Sequence, residues 1–243
     1  MAKFQLPDVL KADVPATPWG KVLTATPVVM TVVATALAGL ASSEMTRAQY
    51  ARSLAAQQQS KAGDQWGFFQ AKRLRSAMAR NTLDIITATG EAKPVATDLP
   101  LPAMPPAAEG LTKLEDKIAA ARDRAKAFDD ALVPVLKQIE QLPETRDGIA
   151  TRARFSAARY DTEAKLNQAI GVLYEEQVRQ SNDVAVRHHR RSQRFFYGML
   201  AAQAAVIVAT FSLATQKRGL MWSLAAAAGA AAIGFAVYVY LFV

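Results

Sequence analysis

Apolar residues fall into three dense blocks around one long polar stretch. Residues 22–41, 195–215 and 220–243 each carry about the 20 mostly apolar positions that a bilayer-spanning helix needs. None of the three contains Asp, Glu, Lys, Arg or His. The second and third are joined by Gln216-Lys217-Arg218-Gly219, a short basic turn, so together they predict a transmembrane hairpin. The first block has a competing reading as a signal sequence, with Lys21 ahead of it and Ala36-Leu37-Ala38 as a small-residue cleavage site. It is long for one. As an anchor it follows an irregular Pro-bearing tail, 1–21, in which Trp19 suits the membrane boundary. Pro27 is expected near the start of that helix, where a missing N–H costs nothing.

The polar region, 42–194, reads as three helices. Residues 43–90 are free of Pro and rich in Ala, Gln, Arg and Leu, all strong helix formers. Gly63 and Gly67 are their weak points. Residues 93–108 hold Pro94, Pro100, Pro102, Pro105 and Pro106, which forbid a helix and favour an extended path. Within 109–142, apolar residues recur at 3,4 spacing from Leu111 and Leu114 through Ile118, Phe128 and Leu132 to Leu142. That is a coiled-coil seam or the inner face of a bundle helix; the two differ in what fills it. Leu142-Pro143 and Asp147-Gly148 mark a turn. Residues 149–194 form the third helix, with a looser stripe that includes Tyr160, Ile170 and Tyr174.

The first polar helix leaves the membrane and the third returns, so the two are antiparallel neighbours. The middle helix must then begin near the membrane and point away from it. The Pro-rich link supplies the return path, since roughly 16 extended residues at ~3.1 Å each cover ~50 Å. A reversal of the first helix at Ala62-Gly63-Asp64 is the alternative. The expected fold is all-α: a membrane protein with three transmembrane helices and a long antiparallel helical or coiled-coil bundle between spans one and two.

Charge and composition narrow the function. The chain carries a formal net charge of +8. Residues 43–108 hold 8 basic and 5 acidic residues, and 109–193 hold 15 and 14, so the remaining excess lies beside the apolar blocks. A near-neutral polar region argues against a nucleic-acid partner, which needs a basic face tracking phosphates. The absence of Cys excludes disulfides and thiolate chemistry. The acidic pairs Glu115-Asp116 and Glu175-Glu176, flanked by Lys and Arg, read as surface groups, and there is no P-loop, GxSxG or HExxH. No catalytic residue, metal site or cofactor is expected.

Two runs stand out. Arg187-His188-His189-Arg190-Arg191 through Arg194 ends at the second apolar block. Adjacent His residues on a helix diverge by about 100°, so they cannot share a metal. Arg187, Arg190, Arg191 and Arg194 read instead as a collar for lipid headgroups. Lys72-Arg73-Leu74-Arg75 reads as a solvated face. The other run, 60–72, places Trp66, Phe68 and Phe69 on an otherwise polar helix. Trp66 and Phe69 are expected to fill the bundle and Phe68 to face outward; docking of another protein is the functional alternative.

This second run resembles the signature ASDQWAFYQAK of the bacterial domain-of-unknown-function family 4337. It departs at Gly63, Gly67 and Phe69, where the family pattern has Ser, Ala and Tyr. The layout is similar too: one N-terminal span, a polar helical region and a C-terminal hairpin with a basic turn. The long Pro-rich and heptad insert departs from it. The resemblance implies a bacterial membrane protein and brings no activity with it.

These features predict a non-catalytic, membrane-anchored helical scaffold or accessory subunit, working as a homo-oligomer or with other membrane-complex subunits. Candidate contact residues are Trp66, Phe68, Phe69, Leu114, Ile118, Phe128, Leu132, Gly229 and Gly234; the two glycines lie on a small-residue face of the last span, where helices approach closely. An oligomeric transport or channel component is the alternative, weakened by the lack of ionisable residues in the spans. The expected location is the bacterial inner membrane. Seven Arg flank the polar region against five Lys and Arg on the other side, which leans toward a cytoplasmic stalk.

Overall fold

The structure is a computed structural model that describes residues 18–90, 100–214 and 218–242. Most of the tail, part of the Pro-rich link and half of the basic turn lie outside the described residues. Four helices follow in order: α1 (Pro18–Ala88), α2 (Leu114–Glu140), α3 (Arg146–Ala214) and α4 (Arg218–Phe242). There is no strand among the described residues. The chain is all-α, and α1, α3 and α4 each contain a stretch long and apolar enough to cross a membrane.

Two helices run from an apolar block straight through a polar one. α1 is continuous through Gly63 and Gly67, so the chain does not reverse at Ala62-Gly63-Asp64. It starts at Pro18, which leaves Pro27 in the helix interior rather than in its first turn. α3 begins at Arg146, so Asp147-Gly148 belongs to its first turn rather than to the loop. Gly148 is required there because a Cβ would collide with the Pro143 carbonyl.

The chain divides into two compact units. One comprises Ser53–Ser181. In it α1 and α3 lie antiparallel, as shown by Arg73–Asp161, the Ser76 hydroxyl on the Ala157 carbonyl and Arg146 against Ile86. α2 lies between them, parallel to α1. It starts beside Ala62, Ile170 and Tyr174, and its later residues Phe128, Leu132 and Ile139 pack with Phe155 and Leu166. The described part of the Pro-rich link, from Pro100 on, runs back along this unit: Leu101 meets the Phe128 cluster, and Arg124 Nε donates to the Pro105 carbonyl farther down. Acidic Glu115 and Asp116 open α2 and Lys137 closes it, matching the helix dipole.

Two arginines of α3 finish the other helices. Arg146 donates to the Ile86 carbonyl (2.9 Å) and to the Thr89 hydroxyl (2.7 Å) at the end of α1, which has no basic residue in its own last turn. Arg152 donates to the Ile139 carbonyl (3.3 Å) and the Leu142 carbonyl at the end of α2. Ile86 lies among the carbonyls that a helix end leaves without a partner in the helix, whereas the Ile139 carbonyl also accepts from the Leu142 N–H.

The second unit holds the described residues up to Arg52 and from Asn182 onward. Its inside is mostly small residues: Ala34, Ala41, Ala202, Ala205, Ala209, Ala225 and Ala232 are buried, with Leu23, Leu37, Phe195 and Val239 among them. Its outside carries large apolar ones, including Val28, Val32, Ile207, Phe211 and Tyr240. A soluble bundle has the opposite arrangement, because water drives large apolar groups inward. Small residues inside and large apolar ones outside suit helices packed within lipid.

Candidate interaction surfaces

The aromatic run lies on α1. Trp66 and Phe69 are partly buried and meet edge to face at 5.4 Å, whereas Phe68 is 54 % exposed. The Trp66 indole N–H donates to Glu175 Oε1 at 2.8 Å. Gly171 makes room for that ring: a Cβ there would sit 3.4 Å from Trp66 Nε1. The sequence reading missed both partners, because residues about a hundred positions apart leave no local pattern.

One turn onward, Lys72 is half-buried, while Arg73, Leu74 and Arg75 keep the exposure expected of a solvated face. Lys72 pairs with Glu163, Arg73 pairs with Asp161 at 2.7 Å, and Arg80 reaches the same aspartate at 3.4 Å. Glu163 is buried and also accepts from Arg159 Nε at 2.5 Å. Lys72, Arg75 and Arg159 all approach the Tyr160 ring, at 5.4, 5.9 and 5.4 Å. Asp129 of α2 shares a small cleft of about 190 Å³ with Lys72 and Glu163. Burial, and then the Glu163 carboxylate, push its carboxyl above the ordinary range, although Lys72 and Arg159 oppose the shift.

The α2 seam is filled from within the chain. Ile118, Phe128 and Leu132 are buried and Leu114 is half-buried, against α1 and α3. The last span separates its two glycines. Gly229 is buried, and a Cβ there would collide with the Met30 side chain of α1. Gly234 is exposed, with open space around its missing Cβ. Nearby, Trp222 Nε1 donates to Thr26 Oγ1 at 2.9 Å and its ring meets Trp19 at 4.8 Å.

The basic collar also divides. His188 Nδ1 lies 2.6 Å from Glu44 Oε2, a buried acid of α1 that the sequence reading did not single out. Ser192 donates to the Ala41 carbonyl at 2.7 Å. Arg187, Arg190 and Arg194 line a cleft with Tyr238 and Phe242 of α4, which Arg191 does not enter. Among the described residues, no group of three His, Asp or Glu side chains is placed to hold a metal ion.

In the spans, Thr24, Thr26, Thr31 and Thr35 return their hydroxyls to carbonyls of their own helix. Gln203 differs. It is exposed near the middle of the second apolar stretch, among exposed Phe196, Leu200, Ile207 and Phe211, and its amide has no hydrogen-bond partner among the described residues.

A model of a domain of unknown function, DUF4337, matches residues 20–242. The chain belongs to this family. The match takes in the aromatic run and nearly all of the four helices. No curated protein and no solved structure matches the chain.

Proposed function

We propose that this member of the family is a non-catalytic helical scaffold or accessory subunit of the bacterial inner membrane, assembled as a homo-oligomer through the lipid-facing side of α3. Gln203 carries the reading. A primary amide facing hydrocarbon without a partner is costly, and an interhelical hydrogen bond relieves it. A second copy related by a two-fold axis along the membrane normal brings the same face, and two such amides can donate to each other. Leu200 and Ile207, one turn to either side, would pack across the same axis.

The polar unit supports a scaffold role in a second way. The inner face of α1 is used inside the chain, yet Leu74, Met78 and Ile85 lie exposed on its opposite side. With Ala71, Asn81 and Ala88 they repeat at 3,4 spacing, the pattern of a helix seam. Copies inserted with one topology present this stripe in parallel. Spans without ionisable groups disfavour ion-coupled transport.

Cysteine crosslinking in native membranes tests the contact, because the chain has no Cys of its own. Ile207→Cys is expected to give disulfide-linked dimers, and Tyr240→Cys, on the outer face of α4, is not. Monomers from Ile207→Cys under oxidation, or equal dimers from both variants, would contradict the α3 interface.

A further inference from the structure

Arg187, Arg190 and Arg194 recur at i, i+3 and i+7, so one face of α3 carries all three guanidinium groups. With Tyr238 and Phe242 they enclose a cleft of about 290 Å³. The two rings stack at 5.5 Å and 28°, forming an apolar wall beside the cations. None of the three arginines has an ion-pair partner among the described residues. The cleft also adjoins Phe195, where the second apolar block begins, and an exposed Tyr and Phe beside basic residues are characteristic of headgroup depth.

We propose that this cleft binds a phosphate-bearing lipid headgroup with more than one negative charge. Guanidinium groups pair with phosphate in bidentate fashion, which a lysine cannot reproduce. Like charges three and four residues apart repel along a helix. A headgroup with a single charge neutralises one of the three and leaves that repulsion largely in place. A lipid with two phosphates engages the arginines along the helix face while the Tyr238–Phe242 wall meets the start of its apolar tails.

The test uses the full chain in phosphatidylcholine nanodiscs doped with either diphosphatidylglycerol or phosphatidylglycerol at equal total charge. Lipid retained through detergent extraction is read by native mass spectrometry. The wild type is expected to retain diphosphatidylglycerol selectively. Arg187→Gln/Arg190→Gln/Arg194→Gln is expected to lose that retention by about tenfold or more, since charged hydrogen bonds are the strong ones. Arg179→Gln, which removes one charge from α3 outside the cleft, is expected to leave it unchanged. Arg190→Lys alone is expected to weaken it while keeping the charge, so the test survives if the triple variant does not fold. Equal retention of both lipids, an unaffected Arg190→Lys and triple variant, or loss of the lipid to free inorganic diphosphate would each overturn the proposal; the last would mark a site for soluble anions.

Discussion

The indole of Trp66 lies against Gly171, at a distance where a Cβ would just touch the ring. Replacement by Ala would put a methyl at ordinary contact distance from Nε1 and remove a helix-interior glycine, a gain of up to about 1 kcal/mol. Replacement by Leu would displace the ring and cost about 1–3 kcal/mol. Thermal melting monitored by helix content checks both signs. With Trp19 and Trp222 changed to Phe, the emission of Trp66 is expected to shift to the red in Gly171→Leu and not in Gly171→Ala.

Phe128 is fully buried at the centre of the α2 contacts, whereas Val133 on the same helix is half exposed. Phe128→Ala is expected to cost about 3–5 kcal/mol. Val133→Ala is expected to stay within about 0.5 kcal/mol. Chemical denaturation of the detergent-solubilised protein separates them, and similar midpoints for the two variants would remove α2 from the core.

Asp129 predicts a pH dependence. Its folded-state carboxyl is raised, chiefly by burial and then by Glu163, so folding favours the protonated form. That contribution is complete below the unfolded carboxylate value of about 4 and is lost as pH rises through the raised folded value. Asp129→Asn stays neutral throughout. Its advantage over the wild type is therefore expected to be absent in acid and to grow toward neutral pH, but only slightly, because Asp129 is exposed and solvent screens the shift. Melting temperatures across that range check it; a constant or reversed difference would refute the assignment.

Gly229 and Gly234 are expected to differ sharply. Leu at 229 must displace Met30 and separate α4 from α1, which lowers the melting temperature in detergent. Leu at 234 meets open space and leaves it unchanged.

Much of this architecture can be read from the chain. Twenty uncharged apolar residues have few solutions other than a span, and five prolines in 93–108 exclude a helix there. The 3,4 spacing from Leu114 to Leu132 showed that α2 has one apolar face. It could not show what covers that face, because α1 and α3 satisfy it as well as a second copy would. Glu44 with His188, Lys72 with Glu163 and Trp66 with Gly171 were invisible for a related reason: each pairs two helices far apart in sequence, and a lone acid or glycine has no periodicity. The collar was legible as charge, but only the arrival of Tyr238 and Phe242 separated Arg187, Arg190 and Arg194 from Arg191.

The central claim is assembly through the α3 face that carries Gln203. It is tested most directly by the mass of the protein in gentle detergent across a dilution series, for the wild type and for Gln203→Leu. The account predicts an oligomer in the wild type. Gln203→Leu should dissociate at roughly tenfold higher concentration, the scale of one to two interhelical hydrogen bonds, with helix content unchanged. A wild-type monomer at every concentration, or a variant that dissociates identically, would contradict it.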